Sequence, residues 1–170
     1  MFTKFTTQLY QALMIGACIA MVMAFATIAL GVVAREAAWN IPGLDAYAGY
    51  SIAAALFLAL PATLKQGDHI RVTLLAQRLN ARWRRGLEHF CLFLGVALSG
   101  YVAYFSCRLV WISWTTHDVS QGADATALWI PQTFMAIGAI GFTISFVDAW
   151  LHHFRGEPFF DVCDEAARVE

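Results

Sequence analysis

The chain predicts an all-α membrane protein. It is a single membrane domain over residues 1–170, with four transmembrane helices and an amphipathic interfacial helix between helices 2 and 3. Three observations carry that expectation. Apolar residues make up 59% and charged residues 14% of 170 residues, against roughly 25% charged in a soluble globular chain. Four apolar runs reach the length that crosses the hydrocarbon of a bilayer, about 20 residues. Basic residues, finally, are spread unevenly over the segments between those runs. The mean hydropathy of +0.59 excludes a disordered chain. Six Trp and thirteen Phe are more large apolar surface than a water-exposed body of this length readily hides.

The first span is Tyr10 to Val33, without a charge. Lys4 precedes it and Ala24-Phe25-Ala26 lies within it, so a secretory signal peptide is the rival reading. Its 24 residues exceed the 7 to 15 of a signal-peptide apolar region, so a retained helix is expected. The second span, Ala46 to Leu64, is also uncharged, and Pro61 is expected to bend or open its end. The third, Leu87 to Cys107, has Glu88 at its start. The fourth runs from about Ala125 to Val147, with Pro131 near its start and Asp148 closing it. None alternates as a lipid-facing strand would, so helices are the only solution that satisfies the backbone in lipid.

Between the second and third spans lies the most informative segment. Gly67 breaks the span, and Asp68 can cap a new helix beside its positive start. At 100° per residue, Val72, Leu75, Leu79 and Trp83 share one sector. Arg71, Arg78, Arg82 and Arg85 occupy the next. This predicts a helix over about 68–85 lying flat, its apolar groups in the acyl boundary and its arginines reaching the phosphates of phospholipids. A calmodulin-type target or a nucleic-acid strip has similar composition, but short joints to two membrane spans argue against both, so no nucleic-acid partner is expected.

Charge sets the orientation. The N-terminal segment, the second loop and the tail together hold nine Lys and Arg, the first and third loops two. The positive-inside rule then puts both termini and the second loop in the cytoplasm. Asp118 and Asp124 fall outside.

Polar residues sit at boundaries rather than deep in spans. Arg108 lies about 31 Å of helix beyond Leu87, at the outer headgroups beside Trp111 and Trp114, an aromatic belt. Asp148 lies near His152, His153 and Arg155, as a solvated or paired end residue. Without a deep acid, neither a proton relay nor a free-standing exporter is expected. Of the five His, at 69, 89, 117, 152 and 153, His69 and His89 share the cytoplasmic side. A haem-carrying anchor of a respiratory redox enzyme is therefore the alternative, opposed by their shallow depth. Cys18, Cys91, Cys107 and Cys163 show no metal or disulfide spacing. No metal-ligand cluster, phosphate loop or nucleophile–base pair is evident, so neither a cofactor nor catalysis is expected. Small residues (Ala24, Gly31, Gly95, Ser99, Gly100, Gly138, Gly141) offer helix-packing faces.

The run Gly67-Asp68-His69-Ile70-Arg71-Val72 at the end of the second of four spans, followed by a Leu- and Arg-rich segment, resembles a known family. So do Trp129-Ile130-Pro131 and the glycines at 138 and 141. The chain is similar to the small membrane subunit (DctQ-type) of tripartite ATP-independent periplasmic (TRAP) transporters. Thr73 stands where that family commonly has Asp. The resemblance implies a non-catalytic subunit that binds a large TRAP membrane subunit laterally and widens its fixed scaffold. It implies sodium-coupled, elevator-type uptake of an organic acid by that larger subunit. It also implies a periplasmic substrate-binding protein as the third partner, with His69 fixing a turn or capping a helix.

Overall fold

A computed structural model describes residues 2–39, 41–66, 81–122 and 124–155. It is all-helical: α1 is Phe2–Glu36, α2 Leu44–Gln66, α3 Ala81–Thr115 and α4 Trp129–Arg155. Each helix is long and apolar enough to cross a membrane. At 1.5 Å per residue, α1 and α3, with 35 residues each, are about 52 Å long. They overrun the apolar stretches because backbone hydrogen bonding continues into the headgroup layer. Among the described residues, extended pairing is limited to an isolated bridge between Val119 and Ala127.

Beyond these overruns, the start of the fourth helix differs from the sequence expectation. The fourth helix starts at Trp129, not near Ala125. Ala125 has φ 45°, Ser120 donates its N–H to Thr126 O at 2.8 Å, and Leu128 donates to Asp118 O at 3.0 Å. Those bonds hold 118–128 as a closed loop. Pro131 then falls in the first turn of α4, where a missing N–H breaks no helical bond. The flat helix expected over 68–85 lies mostly outside the described residues. Its last part, Ala81 to Arg85, belongs to α3 and runs straight into the third span. Gly86 costs a helix only about 1 kcal/mol, too little to break one that continues on both sides.

Helices α1 and α3 end alike. Ala38 and His117 have φ 54° and 52°. Trp39 N–H reaches back to Ala34 O at 2.8 Å, and Asp118 N–H to Ser113 O at 3.1 Å. These are Schellman-type ends, closed here on non-glycine residues.

Contact runs in the order α1, α2, α4, α3. Helix α2 packs between α1 and α4, α1 touches α4 lightly, and among the described elements α3 packs on α4 alone. The result is an open row rather than a closed bundle. Its interior is made of small groups: Ala17, Ala24, Ala55, Ala139, Ala149 and Ser145 are buried, with Leu13 and Leu58 at the α1–α2 contact. Large apolar side chains point outward instead, as in Phe25, 74% exposed. Lipid removes the hydrophobic drive between helices, so close backbone approach is what holds them.

Pro61 and Gly138 show this best. Proline has no N–H to give the carbonyl of Phe57, one turn back. Gly138 of α4 packs against that carbonyl: a Cβ there would lie 2.5 Å from Phe57 C and O. One turn further, Ser145 donates its hydroxyl to Pro61 O at 3.2 Å. The break in α2 is thus covered by a glycine and a serine of α4.

Candidate assembly site

At the expected inner end, polar groups from three helices converge. Tyr10 of α1, 4% exposed, donates its hydroxyl to Asp148 Oδ2 at 3.3 Å. His152 Nδ1 lies 3.4 Å from Asp148 Oδ1 and donates to the backbone carbonyl of Asp148 at 2.9 Å. Ser145 and the Pro61 carbonyl complete the line toward α2. Asp148 is therefore a paired residue that ties α1 to α4, two helices with little direct packing. Buried hydrogen-bonded groups of this kind fix relative helix position.

Two histidines at this end meet directly. His89 and His153 stack edge to face with ring centroids 4.5 Å apart, and Phe154 lies 4.4 Å from His89. Rings in direct contact leave no space for a porphyrin between them, so this pair does not fit axial haem ligation. His69 lies outside the described residues.

The opposite end is built around Asp124. It accepts hydrogen bonds from Ser120 Oγ at 2.9 Å and from Tyr50 OH of α2 at 3.3 Å. Thr126, and to a lesser extent Ser120 and Tyr50, hold its carboxyl below the usual carboxylate range. Thr126 also donates to Tyr47 OH at 3.1 Å. Gly43, with φ 87°, presses on Asp124: a Cβ there would meet Asp124 Cβ at 2.6 Å. The two loops at this end thus meet at one carboxylate. Arg35 adds two hydrogen bonds of 3.1 Å to Asp45, both side chains exposed.

Midway between these ends, α2 and α3 diverge across α4 and leave a groove of about 330 Å³ with a wholly apolar lining. Ala139, Phe142 and Phe146 of α4 form its floor. Phe57 and Leu60 wall it on α2, and Gly95, Leu98, Ser99 and Val102 on α3. Ser99 turns its hydroxyl back to Val96 O at 3.2 Å, so it offers the groove no donor.

Of the residues singled out from sequence, Arg108, Trp111 and Trp114 are exposed on α3. Trp114 also meets Trp129 of α4, edge to face at 4.7 Å. Arg82, Trp83 and Arg85 lie in the first turns of α3. Gly67, Asp68, His69, Ile70, Arg71, Val72, Leu75, Arg78 and Leu79 lie outside the described residues. Sequence reasoning named Ser99 as a packing residue but missed Tyr10, Ser145 and two further buried serines of α3, Ser106 and Ser113. The serines recur every seven residues, a period that puts them on one helix face, and that spacing was the available signal.

Among the described residues, four apolar spans, an interior rich in small residues and few charges within the spans define a multi-pass α-helical membrane protein. Over residues 24–156 the chain matches the family model described as tripartite ATP-independent periplasmic transporters, DctQ component. That stretch is most of the chain and all of spans two to four, and the protein belongs to this family. It is a small membrane component of a tripartite TRAP system, which also comprises a large membrane subunit and a periplasmic binding protein. No curated protein and no solved structure gave a match.

Proposed function

We propose that this chain is the non-catalytic scaffold of its transporter. It binds the large subunit laterally, holds the fixed part of that subunit in the membrane, and leaves substrate and sodium to it. The transported species is an organic acid delivered by the periplasmic binding protein. The chain sits in the bacterial inner membrane with both termini cytoplasmic, and the segment over 68–85 rests on the lipid phosphates through its arginines. The family match carries the reading. The interior supports it: the groups that meet between helices are alanines, serines and one Tyr–Asp–His cluster at a helix end, and an organic anion in hydrocarbon needs more polar compensation than that. The test is co-purification of this chain with its large subunit, then uptake of the binding protein's ligand into reconstituted vesicles under a sodium gradient. Uptake should require both membrane subunits. Equal uptake by the large subunit alone would remove the scaffold role.

A further inference from the structure

We propose that the face of α3 opposite α4 docks on a transmembrane helix of the large subunit that carries a carboxylate. The proposal rests on the scaffold reading above and names the face and the chemistry of the contact. Its first observation is a stripe of hydrogen-bond donors. Tyr101, Tyr104, Arg108 and Trp111 follow steps of three, four and three, and all are exposed. At 100° per residue they share a sector of about 80°. The buried Ser99, Ala103, Ser106 and Ser113 fill another, about 160° away. The stripe thus points away from α4, toward surroundings where lipid alone would select aliphatic groups. The other helices follow that rule: Val22 and Phe25 of α1, Ile52 and Leu56 of α2, and Ile140 and Ile144 of α4 are the exposed side chains near mid-span. Phe105 lies against both tyrosine rings, with centroids 4.4 and 5.3 Å apart, so the rings are held as a unit. Among the described residues, no hydrogen bond or ion pair engages Tyr101, Tyr104 or Arg108.

The second observation is depth. His89 meets His153 and Trp114 meets Trp129, so α3 and α4 share two levels, about 38 Å apart along α3. Tyr101 lies about 18 Å from the first and about 20 Å from the second, at the middle of the membrane. The headgroups are about 15 Å from that plane, farther than a tyrosine side chain extends, so no lipid phosphate satisfies its hydroxyl. Arg108 lies about 9 Å inside the Trp114 level. Helical side chains lean toward the helix N-terminus, which turns Arg108 away from the nearer surface and toward Tyr104. A guanidinium at that depth needs a counter-charge, and hydroxyls at the midplane need acceptors. Another membrane-spanning protein supplies both there, and the family is one with a large membrane subunit. The complementary surface is a carboxylate facing Arg108, with oxygen acceptors one and two turns deeper for Tyr104 and Tyr101. Polar bonds of this kind join helices in hydrocarbon.

The test uses the chain co-expressed with its large subunit, with photoreactive benzoylphenylalanine in place of Tyr101 or Tyr104 and, for comparison, of Phe25 on α1. Irradiation should join the Tyr101 and Tyr104 variants, but not the Phe25 variant, to the large subunit. Adducts at 101 and 104 only with lipid, or only with a second copy of this chain, in an intact complex would overturn the assignment. So would adducts with the large subunit from position 25 alone. A second measurement removes the donors at nearly constant size. Tyr101→Phe combined with Tyr104→Phe, and separately Arg108→Gln, should lower the yield of complex several-fold and leave the melting temperature of the chain purified alone unchanged. Wild-type yield from both would overturn the assignment. An equal loss of stability in the chain alone would overturn it too, because the stripe would then pair within the chain. Failure of the wild-type chain to co-purify would remove the scaffold reading itself, a result distinct from a wrong face.

Discussion

Gly138 sets how closely α2 and α4 approach. It lies against the carbonyl that Pro61 leaves without an intrahelical partner, and the obstacle to a side chain there is backbone, which cannot turn aside. Gly138→Ala should therefore cost about 1–3 kcal/mol through overpacking and lower the melting temperature of the detergent-purified complex. Gly49→Ala, with nothing within 4 Å of the added carbon, should not. Equal melting temperatures for both would mean that α2 and α4 do not approach as described. Asp124 makes a second residue-scale prediction. Its carboxyl is held below the ordinary value of 3.8. The stability it contributes is then fully present above that value and lost as pH falls through the lower folded one. The difference in melting temperature between wild type and Asp124→Asn should be constant from about pH 8 to pH 5 and shrink only below about pH 4. Convergence already near pH 6 would show that another group governs the loop.

At the scale of the element, α3 is the helix with least support. Its buried face is a line of small groups, Ser99, Ala103, Ser106 and Ser113, and since α3 packs on α4 alone among the described elements, that line is the α3–α4 seam. Ser106→Leu would push the two helices apart, an overpacking that costs about 1–3 kcal/mol. The expected outcome is a lower melting temperature of the chain purified alone, whereas Tyr101→Leu, at a 64% exposed position, should leave it in place. A tolerated leucine at 106 would place the seam elsewhere. The continuity of α3 through Gly86 belongs to this scale as well. A glycine signals a break only where the flanking turns prefer to part, and here the residues on both sides are helix formers with no proline between them.

For the whole molecule, orientation and division of labour are the open properties. The basic residues, nine on one side against two on the other, predict that loop 116–128 faces the periplasm. A cysteine at Val119, with the native cysteines replaced, should react with an impermeant thiol reagent added outside intact cells. Labelling only after the inner face is opened would invert the topology. Division of labour predicts that Asp148→Asn or Arg108→Gln changes uptake through assembly or docking, not through selection. Asp148 faces Tyr10 and His152, which fixes α1 against α4, and Arg108 is exposed on α3. Competition uptake in vesicles should show the same order of preference among substrates as wild type. A reordered preference with assembly intact would place this chain on the substrate path.

Composition and run length determined the class, four helices and their approximate places, and the run Gly67 to Val72 with Trp129-Ile130-Pro131 pointed to the family. Lipid makes that possible, because it demands about 20 apolar residues per crossing and permits no unpaired backbone. The boundary charges were legible for the same reason: Arg108 and Asp148 were read at span ends from distance along the helix. Tertiary structure decided which faces meet. In lipid nearly every face is apolar, so hydrophobicity does not mark the interior, and contact is chosen by close packing at single residues. That Gly138 answers Pro61, that Tyr10 reaches Asp148 across 138 positions of sequence, and that α3 packs on α4 are matters of shape. No periodicity in one helix encodes the helix it will touch.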